Sequence, residues 1–203
     1  MLNMQLSEAI FGGVGAGLYS ILLFVFLSVF VSGLMIGRTP EHLGKKIETY
    51  DMKMTMLALL PFVLVVHTFT SLACFSNWGL KGLGNSGPHG FSEILYAFTS
   101  CAANNGSAFA GLSANTPPYN LTLGLTMVLG RFLVLAPVIA LAGSFAQKKM
   151  HPKTEASFPV SSLLFIILLI GVIVLIGALT FFPALTMGPI VEQFFMLKGA
   201  LSS

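Results

Sequence analysis

Charge is what this sequence has least of. Only 8% of its 203 residues are Asp, Glu, Lys or Arg, where a soluble domain carries about 25%. The hydrophobic fraction is 55% and the mean hydropathy +0.89. This excludes a soluble domain and describes an integral membrane protein whose solvent is the bilayer. Cysteine is almost missing. Cys74 falls in an apolar helical run and Cys101 in a small-residue segment, so a secreted-type disulfide framework is excluded and both thiols are expected to be free. There is no glycine-rich phosphate-binding loop, no CxxC and no pair of carboxylates, which leaves no zinc, calcium or nucleotide site to assign. Residues 1–10 have no basic n-region, so no cleavable signal peptide is expected and the apolar helices must direct insertion.

What is present is a series of long apolar runs. Leu18 through Ile36 carries no charge and is long enough to span, since about 20 residues cross the hydrocarbon core. Just before it, Gly12, Gly13, Gly15 and Gly17 crowd six positions after a half-helix from Leu2 to Phe11. Glycine at that density opposes a continuous helix, each costing roughly 1 kcal/mol relative to Ala. Residues 1–37 are therefore either one helix broken by a Gly loop at 12–17 or a turn leading into an ordinary helix. A polar loop, 38–53, contains Arg38, Lys45, Lys46 and Lys53. Met54 through Phe75 is the next span, with Pro61 expected to kink it and His67 expected to make a hydrogen-bonded helix contact. Residues 76–89 are rich in Gly and Asn. Leu121 to Ala146 is a span interrupted by Arg131, 147–159 is a second lysine-bearing loop, and 160–182 is the final span. Residues 183–203 form a mixed tail in which Ile190 to Leu197 has amphipathic character.

Seven of the ten Lys and Arg residues lie in the loops 38–53 and 147–159. Cytoplasmic loops carry the excess of Lys and Arg. Both loops are thus expected in the cytoplasm, with the 76–89 loop and the C-terminus extracytoplasmic. The net charge of +3 reports this topology and not nucleic-acid binding.

The distinctive stretch is Thr99-Ser100-Cys101-Ala102-Ala103-Asn104-Asn105-Gly106-Ser107-Ala108-Phe109-Ala110-Gly111. It is small and polar between apolar patterns. Irregular backbone at membrane depth is tolerated only where protein or a water-filled cavity surrounds it. A short helix over 91–103 that stops and returns through 104–110 can aim backbone carbonyls at a common axis and replace the hydration shell of a potassium ion. On composition alone, a polar extracytoplasmic loop is the other possibility.

Gly87-Pro88-His89-Gly90-Phe91-Ser92-Glu93, followed by Ala103-Asn104-Asn105-Gly106-Ser107-Ala108-Phe109-Ala110-Gly111-Leu112-Ser113-Ala114-Asn115, resembles the last pore loop of the potassium-binding (A) subunit of Kdp-type potassium-transporting P-type ATPases. Phe11-Gly12-Gly13-Val14-Gly15-Ala16-Gly17-Leu18-Tyr19 and Gly37-Arg38-Thr39-Pro40-Glu41-His42-Leu43-Gly44-Lys45-Lys46 match the same family in the same order. The resemblance extends from about Gln5 to about Pro189 and covers only the C-terminal portion of that family. It implies an all-α integral membrane protein built on the helix–pore loop–helix repeat of the potassium channel and transporter superfamily. Residues 1–37 would be the second helix of the third repeat, broken at 12–17. Residues 54–146 would be the fourth repeat, with its filter at 104–108. It further implies potassium as the bound ion, a bacterial inner (plasma) membrane location, and partners that hydrolyse ATP: a P-type ATPase catalytic subunit with small accessory subunits. The chain itself would be non-catalytic and would need the missing N-terminal repeats. A truncated or split fragment acting as a scaffold, and a channel-like uptake protein without an ATPase, are the alternatives.

In the expected filter, Asn104, Asn105, Gly106 and Ser107 bind potassium, with Gly106 permitting a carbonyl orientation that a Cβ would resist. Gly12, Gly13, Gly15 and Gly17 form a gate or barrier. Arg38 and Arg131 are the charged residues expected to act with them. Arg131 is about ten residues from Leu121, deep enough that it must face protein or water and have a partner. Glu8 is the carboxylate expected to approach it below the filter.

Overall fold

The computed structural model is helical throughout, apart from one small hairpin. It describes residues 1–6, 17–107, 111–150, 152, 160 and 162–197, without the side chains of 183, 191, 192 and 195. The elements in chain order are α1 (Leu2–Gln5), α2 (Gly17–Ile36), β1 (Glu41–His42), β2 (Lys45–Lys46), α3 (Thr49–Phe75), α4 (Asn77–Leu80), α5 (Pro88–Ala103), α6 (Pro117–Gln147) and α7 (Leu163–Leu197). Among the described residues, four helical segments are long and apolar enough to cross a membrane: Gly17–Ile36, Thr49–Phe75, Pro117–Gln147 and Leu163–Phe182. The all-α membrane architecture expected from the sequence is what the chain forms.

The helix ends follow from local chemistry. At the end of α2, Gly37 takes φ +70°. Its N–H donates to Leu34 O, and the Arg38 N–H donates to Gly33 O at 2.8 Å. This pair of bonds satisfies the last carbonyls in the Schellman manner. β1 and β2 pair antiparallel, with Glu41 opposite Lys46 and His42 opposite Lys45. Leu43 and Gly44 both have positive φ, at 52° and 71°, the signature of a two-residue type I′ turn. Helix α3 starts at Thr49, five residues before the expected Met54, because Glu48 and Asp51 form a capping box. The polar loop is thereby shorter than its composition suggests.

Pro117 and Pro118 occupy the first turn of α6 and start it ahead of Leu121. That position has no intrahelical N–H bond for proline to lose. Helices α3 and α6 continue across Pro61 and Pro137. Helix α7 likewise runs past the expected end at Phe182 to Leu197, through Pro183 and Pro189. Each proline removes one backbone donor, which membrane helices accommodate more readily than soluble ones.

The packing forms three consecutive clusters. Leu23, Phe26, Val29, Ile47, Met52 and Leu141 join α2, the hairpin, α3 and α6. Phe62, Val66, Leu95, Ala102 and Phe181 join α3, α5 and α7. Ala73, Ile94, Phe98 and Tyr119 join α3, α5 and α6. Helix α5 packs against α3, α6 and α7, burying Glu93, Ile94, Leu95, Phe98, Thr99 and Ser100. Lipid is as apolar as Leu, so association relies on close contact and hydrogen bonding. Gly130 of α6 provides such a contact: a Cβ there would overlap the Ala102 carbonyl of α5. His67 is the helix contact its position suggests. Its Nε2 donates to Thr180 O at 2.9 Å, and its ring meets Phe181 edge-on at 5.2 Å.

Candidate functional site

Helix α5 positions the site. Gly87, at φ +67°, caps its start and Pro88 is its first residue. Its end is set by Asn104 in the left-handed region, φ 55° and ψ 32°. Asn is one of the few side-chain-bearing residues that adopts this conformation at a helix end. The Asn104 N–H donates to Cys101 O at 3.1 Å and the Asn105 N–H to Ser100 O at 3.0 Å. The Asn104 side-chain amide lies 3.2 Å from Met127 O and 3.3 Å from Cys101 O and Ala102 O, tying the end of α5 to α6. Asn104 therefore braces the turn.

The chain then leaves the helix as irregular backbone. Gly106 has φ +80°, and nothing lies within 4 Å of where its Cβ would be. Its glycine is required by conformation and not by crowding. Ser107 turns back towards α5. Its carbonyl accepts from Ser100 Oγ at 2.8 Å, its Oγ accepts from Tyr96 OH at 2.9 Å, and its N–H donates to Asn105 Oδ1 at 3.3 Å. Position 108 of the expected filter lies outside the described residues.

A cavity of ≈ 40 Å³ abuts the C-terminal end of α5, lined by Met4, Tyr19, Phe62, Ala102, Asn104 and Arg131 among others. This is room for water. The C-terminal end of a helix carries a partial negative charge that favours a cation. Arg131 and Asn104 line the same cavity. Glu8, Gly12, Gly13 and Gly15 lie outside the described residues, and Gly17 is the first residue of α2. Arg38 is exposed just past α2 and is not among the residues lining the cavity.

On the other side of α5, Glu93 is completely buried. Its carboxylate accepts the Gly84 N–H at 3.0 Å and the Asn85 side-chain N–H at 2.6 Å. A Cβ on Gly111 would strike that carboxylate, so the backbone at Gly111 passes directly over it. Ser113 N–H donates to Gly82 O at 2.7 Å, and Tyr119 OH donates to Gly79 O at 2.9 Å. The 76–89 loop is thereby fastened to Glu93 of α5, to Ser113 and to Tyr119 of α6. The sequence places Glu93 near the start of α5, where an anion suits the dipole. Its role as the anchor of that loop becomes visible only with Gly84 and Asn85 folded onto it. Tyr96 and Ser100 are likewise absent from the sequence-derived site, although their i, i+4 spacing puts them on one face of α5.

Among the described residues no group of three or more His, Cys, Asp and Glu side chains could hold a metal ion.

Residues 1–194 match the family described as the potassium-transporting ATPase A subunit. The potassium-transporting ATPase potassium-binding subunit of Brucella anthropi is 58% identical over 201 residues, covering 99% of this chain and 35% of that protein. The subunit of the same name from Methylobacterium nodulans is 60% identical over 192 residues, 95% of this chain and 34% of the relative. That of Ralstonia pickettii is 58% identical over 192 residues, 95% and 32%. The chain spans about a third of the length of these relatives. With an all-α membrane fold and a family match over nearly its whole length, this chain belongs to the potassium-transporting ATPase A subunit family.

Proposed function

We propose that this chain forms the C-terminal part of a potassium-binding and translocating subunit, and that its segment 104–108 supplies one side of a carbonyl-lined selectivity filter. The observation that carries this is Gly106: positive φ and open space, immediately after a buried helix that ends at Asn104. Such a residue can aim carbonyls at an ion without a side chain intruding. Asn104 and Asn105 stiffen the approach to it. Potassium is the cargo, and neutral ligands of moderate field hold it without trapping it.

The cavity at the end of α5 is the next station along the path. The negative end of the helix favours a cation there, and Arg131 competes with potassium for that field. The Gly loop 12–17 and the approach of Glu8 to Arg131 complete the proposed barrier. ATP hydrolysis belongs to a partner P-type ATPase subunit, with small accessory subunits, in a bacterial inner membrane. The lysine-bearing loops face the cytoplasm and the C-terminus the other side.

Gly106→Asp tests the filter. In the assembled complex, potassium-stimulated ATP hydrolysis is followed against potassium and against rubidium. A carboxylate at the ring raises the field and crowds it, so the half-saturating concentrations should move by about tenfold, equivalent to 1.4 kcal/mol, and not equally for the two ions. An unchanged dependence on both ions removes Gly106 from the filter.

A further inference from the structure

We infer that Tyr96 and Ser100 are positioning residues of the filter, and that they hold Ser107 as its anchor, turned away from the ion. The inference rests on the filter reading of this segment and changes it at one residue: Ser107 sets the filter's shape and is not one of its potassium ligands.

Tyr96 and Ser100 are one helical turn apart on α5, so both side chains project from the same face towards the returning segment. Their hydroxyls and that of Ser107 form a closed chain of donors and acceptors. Tyr96 OH donates to Ser107 Oγ at 2.9 Å. Ser107 Oγ and Ser100 Oγ are 3.1 Å apart. Ser100 Oγ donates to the Ser107 carbonyl at 2.8 Å. Each hydroxyl has one proton. With the Tyr96 proton on Ser107 Oγ, and the Ser100 proton on the Ser107 carbonyl, the Ser107 proton has Ser100 Oγ at 3.1 Å and Met4 Sδ at 3.9 Å as acceptors, and the shorter contact closes the chain. Ser100 is 2% exposed, so its hydroxyl has no competing bulk water.

The consequence is directional. A carbonyl that accepts a hydroxyl of α5 at 2.8 Å has its negative end aimed at α5. With one lone pair given to that hydroxyl, it is a weaker ligand for an ion than a carbonyl that keeps both. Ser107 N–H is engaged as well, by Asn105 Oδ1 at 3.3 Å. Ser107 is therefore pinned through its carbonyl, hydroxyl and amide, and the preceding backbone is left to face the ion. Gly106, with open space beside it, is the residue so presented. Discrimination between potassium and a slightly different ion depends on how firmly these carbonyls are held. Two hydroxyls of α5 hold them.

The test uses the complete complex carrying Ser100→Ala, Ser100→Thr, Tyr96→Phe and, as a reference, Gly106→Asp. Two readouts are taken: displacement of bound rubidium by potassium at equilibrium, and the dependence of ATP hydrolysis on each ion. Ser100→Ala should lower the preference for potassium over rubidium by about three- to tenfold, the range expected for one lost hydrogen bond. Tyr96→Phe should do so in the same direction, and Ser100→Thr should restore the preference. A merely structural role would lower yield or maximal rate and leave the ion preference unchanged, and that result overturns the inference. Should Ser100→Ala fail to assemble, Tyr96→Phe decides in the same way, because it keeps the ring and its packing. If Gly106→Asp shifts the ion dependence while Ser100→Ala and Tyr96→Phe do not, only the anchor is wrong. If Gly106→Asp is also silent, the filter reading itself has failed.

Discussion

His42 is a half-buried titratable residue outside the membrane-spanning helices. Its ring meets Phe26 edge-on at 5.1 Å, and its Nδ1 is buried without a hydrogen-bond partner among the described residues. Burial disfavours the imidazolium and pushes its pKa below the usual 6.5. Between that lowered value and 6.5 the unfolded chain binds a proton that the folded hairpin refuses. Stability therefore rises with pH through this window, is complete above it, and is lost as the pH falls. Amide exchange at Glu41–Ile47, corrected for intrinsic rates, should show weaker protection at about pH 5.5 than at about pH 7.5. His42→Phe should abolish the difference. Equal protection of the native hairpin at both pH values would show that the imidazole is not strained by its surroundings.

At the scale of elements, the hairpin and the start of α3 are locked to the end of α6. Asp51 is 0% exposed. It accepts the Glu48 N–H at 2.7 Å, Ser144 Oγ at 2.6 Å, and the ammonium of Lys148. Lys148 also donates to Lys46 O at 2.9 Å and lies over the Phe145 ring at 5.1 Å. Lys45 adds a bond to Phe145 O from β2. The sequence reads Asp51 and Lys148 as ordinary polar-loop residues, because 97 positions separate them. Once the capping box starts α3 at Thr49, Asp51 is carried into the interior and needs its counter-ion. Lys148→Met strands Asp51, which is 0% exposed, and should cost about 3–5 kcal/mol, whereas Asp51→Leu should cost less, because Lys148 is 16% exposed and keeps Glu48 at 3.3 Å. The double variant should cost much less than their sum. Thermal unfolding of the four proteins in detergent closes the cycle, and strictly additive losses would mean that the pair is not coupled.

At the scale of the whole molecule, helices α6 and α7 present large apolar side chains outward, including Leu121, Leu125, Phe132, Leu163, Ile167 and Leu179. In a membrane such faces meet lipid or other helices, so they are not by themselves unstable. In the proposed filter, segment 104–108 would reach an ion from one side only. A potassium ion stripped of water needs oxygens all around it. This chain alone, reconstituted in liposomes with an enclosed potassium-sensitive dye, should therefore conduct no potassium. A potassium flux from it alone would show that the remaining two-thirds of the relatives' length is not needed to complete the ring.

The sequence by itself determined the class, the spans and the place of the irregular segment that follows α5. Those follow from quantities local in the chain: the scarcity of charge, runs of about 20 apolar residues, and a polar, glycine-bearing segment between them. Gly106 was legible because a positive φ is a property of one residue. Element ends were legible only in part. The chemistry of Glu48 with Asp51, and of Pro117 at a first turn, is local, yet it is outweighed on inspection by the polar composition around it. What only the tertiary structure decided is which polar groups meet. Glu93 on Gly84 and Asn85, Asp51 on Lys148, and Arg131 on the cavity beside Asn104 are pairings between elements. Ser100 with Ser107 depends on how the chain turns back at Asn104. A buried polar group must find a partner or lose about 1–3 kcal/mol, but that requirement does not say which partner. The choice is made by the packing of α3, α5 and α6, where Gly130 lets α6 approach the backbone of α5, and no periodicity in the sequence encodes it.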